Sequence, residues 1–150
     1  MNIRKIVLSS LFAITCAFTY AQSNEVIDEV LVQDKLTYGN GAYLVLTASE
    51  IIDESFSLEE AMSAGKEMGW IKDKKQIDAP ISLGEYSFLI MKSFDMKGGL
   101  FYSIFPSPRY ASRELAYQGY ISKDSGAYRK LSGQEALSLI GQIVRKRSSK

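Results

Sequence analysis

An internal repeat constrains the fold of this chain more than any other feature of the sequence. Three segments begin alike, at residues 36–46, 81–91 and 131–141, so the copies follow one another after 45 and 50 residues. In each, an apolar residue precedes Thr or Ser, and an apolar pattern of helical period follows. A period of this size is typical of stacked supersecondary units that bury one another's apolar faces. The chain is therefore predicted to fold as a series of similar units.

Each copy carries the signal for the start of a helix. Thr37, Ser82 and Ser132 stand where a side-chain hydroxyl can accept a hydrogen bond from a free N–H of the first turn. Glu85 and Glu135 follow two of these residues by three positions, which predicts two capping boxes. These positions mark the first helix of each unit.

A second pair of segments repeats between the first three. Residues 61–71 and 111–121 lie 50 positions apart and share small and apolar residues at helical spacing. Gly69 and Gly119 are expected to end these helices, because glycine adopts positive φ readily. Each unit is therefore predicted to be a helix-loop-helix hairpin.

The predicted fold class is all-α, built of helix-loop-helix repeats that need mutual packing for stability. The repeat domain spans residues 36–150, and an N-terminal arm covers residues 22–35, for which a short helix and an extended segment are both open. About five helices are expected, near residues 38–52, 57–68, 82–94, 108–118 and 133–147.

The first 21 residues have the order of a secretory signal peptide. A basic pair precedes an apolar run over residues 6–18, and the small residues Thr19 and Ala21 suit cleavage after Ala21. The run is short for a membrane span. The alternatives are an uncleaved membrane anchor, a structural N-terminal helix and lipidation at Cys16. The sequence thus predicts export to the periplasm or cell envelope, with the signal peptide at residues 1–21.

Composition excludes several kinds of chemistry. The 150 residues include no His and one Cys, so no Ser-His-Asp or Cys-His system, imidazole metal site or intramolecular disulfide can form. The 18 Lys and Arg residues balance 17 Asp and Glu, which argues against nucleic acid as a partner. No carboxylate pair suits glycoside cleavage, and no phosphate or Ca²⁺ loop is present. We therefore predict that the protein is not an enzyme and that it has no catalytic residues, no cofactor and no bound metal.

The repeat resembles the S-layer homology module. Residues 81–85 and 131–135 resemble its opening signature, Ile/Val-Thr-Arg-Ala/Gly-Glu, and residues 61–71 and 111–121 resemble its closing half. The resemblance covers about residues 36–147, as two full repeats and the first half of a third. It implies stacked helical hairpins and a non-covalent attachment to cell-wall polysaccharide.

The chain departs from this family at the Arg of the opening signature, which the resemblance implies contacts an acidic sugar. The equivalent positions hold Tyr38, Leu83 and Gly133. The capping and core residues of the signature are kept while its ligand-contacting residue is replaced. The resemblance therefore supports the fold more than it supports the carbohydrate contact.

An aromatic loop over residues 94–106 supplies two candidate ligand-binding residues. Phe101 and Tyr102 follow a pair of glycines there, and they could stack on sugar rings or on a partner protein. In the alternative, the loop folds back over the open end that an absent sixth helix leaves, because that end would otherwise expose apolar surface.

The first turns of the helix that begins at Pro108 supply three more candidates, Arg109, Tyr110 and Arg113. Free N–H groups at a helix N-terminus, together with Arg side chains, form a plausible site for a carboxylate or phosphate. In the alternative, the two Arg residues pair with an acidic residue such as Glu114 or Glu85 on a solvated face.

Together these features predict a non-catalytic cell-envelope binding or adaptor module that contacts cell-wall polymer or an envelope protein. The alternative is a structural or assembly factor that binds a larger envelope protein through its open end and aromatic loop. Neither function requires a stable membrane span after signal cleavage, and neither involves nucleic acid.

Overall fold

The computed structural model describes residues 25–149, so the predicted signal peptide at 1–21 lies outside the described residues. Within that range the regular structure is helical, with only two isolated β-bridges, and the predicted all-α class is confirmed. The helices are α1 over residues 25–31, α2 Tyr38–Ala48, α3 Leu58–Glu67, α4 Leu83–Ser93, α5 Leu100–Ile104, α6 Pro108–Tyr117 and α7 Gly133–Ser148. No helix of this range is long and apolar enough to cross a membrane.

Two of these helices go beyond the five that the sequence predicted. The N-terminal arm, for which the sequence allowed a short helix or an extended segment, is helical over residues 25–31. The aromatic loop contains α5, which has only five residues. A helix of that length is too short to show a 3.6-residue period in its sequence, and the count of five was therefore too low.

The helix caps form at the predicted residues. The hydroxyls of Thr37, Ser82 and Ser132 each accept a hydrogen bond from the N–H three positions later. The capping box at Ser82 is complete. The capping box predicted at Ser132 is only half formed, because the Glu135 carboxylate accepts hydrogen bonds from the Arg129 guanidinium instead.

The predicted helix ends are also present. Gly69 and Gly119 adopt positive φ, at 71° and 82°, directly after the last turns of α3 and α6. The N–H of Trp70 then donates to the carbonyl of Gly65 at 3.0 Å, and Tyr120 makes the equivalent bond after α6. This arrangement is a Schellman motif, and it sends both following loops away from the helix in the same manner.

The segments that lead into α2, α4 and α7 meet at a shared apolar centre. The N–H of Leu36 donates to the carbonyl of Leu131 at 2.9 Å, and the N–H of Ile81 donates to the carbonyl of Leu36 at 2.9 Å. All three side chains are buried. The three units therefore share one core instead of forming separate hairpins.

Each of these helices is also tied to a neighbouring unit through its first N–H group. These N–H groups donate to backbone carbonyls at 2.9 to 3.0 Å, from Tyr38 to Ala79, from Leu83 to Arg129 and from Gly133 to Gln33. The third bond joins α7 to the segment after α1. The three units are thus closed into a ring, and donors that helix termini leave unpaired are satisfied by tertiary contacts.

Tyr86 fills the centre between the first helices of the three units. Its side chain is fully buried, and its hydroxyl donates to the carbonyl of Ala136 at 3.1 Å. A Cβ atom built on Gly41 would lie 3.5 Å from the Tyr86 ring. Gly41, Tyr86 and Ala136 occupy equivalent positions of the repeat, so one large and two small residues share the centre.

Removal of the Tyr86 hydroxyl tests this arrangement. We expect Tyr86→Phe to lower the free energy of unfolding by about 1–2 kcal/mol, because the Ala136 carbonyl loses a buried donor. Urea denaturation measures the change. Tyr128→Phe makes the same chemical change at a side chain that is 78% exposed, and it should be neutral. Equal stability of the two variants would contradict the central role of the Tyr86 bond.

The closure of the ring depends on the absence of a side chain at Gly133. A Cβ atom built there would overlap the carbonyl oxygen of Val30 in α1. We expect Gly133→Ala to lower the free energy of unfolding by about 2 kcal/mol or more, because α1 must move away. Gly141→Ala, in the same helix and with no heavy atom near the added carbon, should raise it by about 0.5–1 kcal/mol. Thermal unfolding of both variants compares the two effects.

Candidate functional site

The packing of α5 on α6 brings together three of the five residues predicted to bind a ligand. Tyr102 is buried and holds α5 against the rest of the fold. The Phe101 ring stacks on the Tyr110 ring, with centroids 5.8 Å apart and planes inclined by 14°. Phe101 itself stays largely exposed. The aromatic pair therefore presents one ring face to solvent, as stacking on a ligand requires.

The Tyr102 hydroxyl is buried near a charged side chain but does not form a hydrogen bond with any described residue. Burial and the nearby charge of the Glu114 carboxylate raise the pKa of its hydroxyl to about 12. Within residues 25–149 this buried hydroxyl has no hydrogen-bond partner. Tyr102 is thus an anchoring side chain that ligands cannot reach in this structure.

Arg109 and Arg113 lie on either side of Tyr110 on α6, and both are exposed. Neither forms an ion pair within the described residues. The carboxylate of Glu85, one of the two partners considered, is bound to Lys75 instead. The alternative in which these Arg residues pair with Glu114 or Glu85 is therefore not what the structure shows.

The aromatic loop divides into a packed part and an exposed part. Phe94, at its start, is buried, and the guanidinium of Arg147 from α7 lies 5.2 Å from its ring centre. Phe101 and Phe105 remain exposed. Phe94 and Tyr102 thus cover the core, as the alternative of a loop folded back on the protein predicts, while Phe101 and Phe105 do not.

A cleft that the sequence analysis did not identify lies between the end of α3, the face of α4 and the segment before α6. It has a volume of about 340 Å³. Its floor is buried and apolar and consists of Ile71, Ile81 and Leu89. Its other lining residues include the half-buried rings of Trp70 and Phe88 and the prolines Pro106 and Pro108. We call this feature the α3–α4–α6 cleft.

An ion pair borders the α3–α4–α6 cleft. The Lys75 Nζ lies 2.9 Å from the Glu85 Oε1 and 5.0 Å from the centre of the Tyr38 ring. The Tyr38 hydroxyl is buried and has no aligned hydrogen-bond partner within residues 25–149. Its burial and its closeness to the Glu85 carboxylate raise its pKa well above the usual range. The cleft therefore combines aromatic surface with one fixed pair of charges.

Glu85 is held as a carboxylate by its neighbours. Burial opposes its ionisation, but its hydrogen bonds with Ser82, the nearby Tyr38 hydroxyl and the Lys75 cation outweigh that effect and lower its pKa to about 2. The shortest of these bonds runs from the Ser82 hydroxyl to the Glu85 Oε2, at 2.6 Å. Glu85 thus completes the capping box of α4 and also binds the Lys75 cation at the edge of the cleft.

The sequence gives no sign that Glu85 and Lys75 border a cleft, because each has an ordinary local role. Glu85 does cap its helix, as its spacing from Ser82 predicts. The segment around Lys75 has the composition of a solvated loop, but the Lys75 side chain is half-buried against Tyr38. Only the ring of units brings these residues together, and no local pattern in the sequence signals that contact.

Within residues 25–149, no cluster of acidic, Cys or His side chains is arranged to hold a metal ion. Comparisons of the chain with models of known protein families, with curated proteins and with solved structures returned no match.

The lowered pKa of Glu85 predicts a pH-dependent contribution to stability. A folded-state pKa near 2 against an ordinary value of 4.5 means that ionised Glu85 stabilises the fold above pH 4.5, and that this stabilisation is lost as the pH falls toward 2. We expect Glu85→Gln to reduce the free energy of unfolding by about 2 kcal/mol at neutral pH. The difference between the two proteins should shrink progressively in acid.

Urea denaturation at a series of pH values measures this difference. Glu59→Gln provides the control, because Glu59 is exposed and forms no hydrogen bond or ion pair through its side chain within the described residues. It should change stability by less than about 0.5 kcal/mol throughout. A gap between wild type and Glu85→Gln that stays constant into acid would show that Glu85 is not the titrating group.

Proposed function

We propose that this protein is a non-catalytic binding module of the cell envelope and that it holds a segment of cell-wall polysaccharide in the α3–α4–α6 cleft. The lining of the cleft carries this proposal. Trp70 and Phe88 supply half-exposed aromatic rings beside an apolar floor, and the Lys75–Glu85 ion pair stands at the edge. Aromatic rings stack on the apolar faces of sugars, and fixed charged groups form hydrogen bonds with sugar hydroxyl groups.

The size and charge of the cleft fit a short stretch of polymer. Its volume of about 340 Å³ lies at the lower end of the range for small-ligand pockets. Lys72 lies in the lining, is exposed, and forms no ion pair within residues 25–149. It is therefore available to a carboxylate on the polymer, whereas Lys75 is already neutralised by Glu85.

The position of the cleft agrees with the resemblance to S-layer homology modules. Tyr38 lines the cleft and occupies the position at which that family's signature has its sugar-contacting Arg. In this chain an aromatic residue and the neighbouring Lys75 take that place. The signal-like order of residues 1–21 supports the proposed location in the periplasm or cell envelope.

Co-sedimentation with isolated cell-wall sacculi, with and without their accessory polymer, tests the proposed function. We use the chain from Gln22 onward, which contains every described helix. Wild type should pellet saturably and only when the polymer is present. Trp70→Ala and Lys72→Gln should each weaken binding, by about tenfold for Trp70 and less for the exposed Lys72.

Tyr120→Ala is the matched control, because Tyr120 is the repeat equivalent of Trp70 and does not line the cleft. It should bind like wild type. Thermal unfolding of each variant separates loss of binding from loss of folding, and Lys72→Gln alters no packed side chain. Polymer-independent pelleting, or equal binding by all variants, would contradict the proposal.

A further inference from the structure

The outer side of α5 groups four of the large apolar side chains that are exposed in the described part of the chain. Leu100, Phe101, Ile104 and Phe105 are each between 55% and 70% exposed. Leu100, Phe101 and Ile104 belong to α5, at positions i, i+1 and i+4 on one side of the helix, and Phe105 follows directly as its C-cap residue. Exposed residues of this kind usually occur singly, and a contiguous group marks a contact surface. We call these four residues the α5 face.

The α5 face is held in place by one buried anchor and by the stacking of one of its own rings on α6. Tyr102 is buried, and the Phe101 ring is stacked on Tyr110 of α6. Gly98 lets the chain pass close to this anchor, because a Cβ atom there would lie 2.7 Å from the Tyr102 ring. The apolar side chains are therefore presented outward by a fixed helix and are not loosely folded back on the protein.

Three exposed cations flank the α5 face along the chain. Lys97 precedes α5, and Arg109 and Arg113 follow it on α6. None of the three forms an ion pair within residues 25–149. The acidic residues of the same region are Asp95, which is exposed, and Glu114, which is half-buried beside Gly99 and Tyr102. None of these five charged side chains forms an ion pair within residues 25–149, and together they carry a net charge of +1.

We propose that the α5 face inserts into the interfacial region of an anionic phospholipid bilayer, with Lys97, Arg109 and Arg113 contacting lipid headgroups. Four side chains of this size expose about 500 Å² at most, which is below the roughly 800 Å² that each partner buries in a stable protein interface. A bilayer needs no matching surface, and it binds a small apolar face with a basic rim. This inference rests on α5 and does not depend on the polysaccharide cleft.

Co-sedimentation with lipid vesicles tests the inference, again with the chain from Gln22 onward. Vesicles of phosphatidylcholine and phosphatidylglycerol in equal parts should pellet the protein, and vesicles of phosphatidylcholine alone should pellet it much less. The variant with both Phe101→Ser and Phe105→Ser should partition about tenfold or more weakly, because it loses most of the apolar area. Arg109→Gln with Arg113→Gln should weaken binding to the anionic vesicles alone.

The control variant combines Tyr117→Ser with Tyr128→Ser, which removes two exposed aromatic rings outside the α5 face. It should partition like wild type. Loss of vesicle binding in the Phe101 and Phe105 variant, with its thermal unfolding unchanged, would support the inference whether or not the cleft binds polymer. Equal partitioning of that variant and the control would overturn it.

A second experiment locates the inserted residues directly. With Trp70→Phe as the background, a single Trp is introduced by Phe101→Trp or, in the control, by Tyr117→Trp. Brominated lipids should quench the fluorescence of the first protein and not of the second. Wild-type self-association that is abolished by the Phe101 and Phe105 substitutions, without lipid quenching, would assign the α5 face to a second copy and overturn the membrane contact.

Discussion

The structure depends on how three helices share one centre. Tyr86 occupies that centre, packs over Gly41 and donates its hydroxyl to the Ala136 carbonyl. Three equivalent large residues could not fit there, and three small ones would leave a cavity. The repeat therefore cannot be exactly symmetric, and its divergence at this position is a packing requirement. Burial of the hydroxyl also raises the pKa of Tyr86, so the group keeps the proton that it donates to the Ala136 carbonyl.

Much of the fold could be predicted from the sequence because the signals for its helices are local. A hydroxyl that accepts from the N–H three residues later, or a glycine that ends a helix, acts within one turn, and both recur at the repeat spacing. The half-formed capping box at Ser132 shows the limit of such rules. Arg129 competes for the Glu135 carboxylate, and only the tertiary structure brings these two side chains together.

The candidate site was less predictable for the same reason. Phe101 and Arg109 stood out as unusual residues, and the structure leaves both exposed. The cleft instead combines a loop lysine, a capping glutamate and Tyr38, each of which has an ordinary local role. Pro106 and Pro108 line the cleft just after the α5 face, so the two proposed contacts lie on either side of one short, stiff segment.

The closure between α7 and the segment after α1 has a consequence for how this protein is made. The bond from Gly133 to Gln33 joins residues 100 positions apart, and the core residue Val30 packs beside it. An emerging chain can form the hairpin of α2 and α3 early, but its shared core stays open until α7 has left the ribosome. Such non-local closure slows folding. The fold of the described residues is therefore completed in one late step, when α7 closes the ring on the segment after α1.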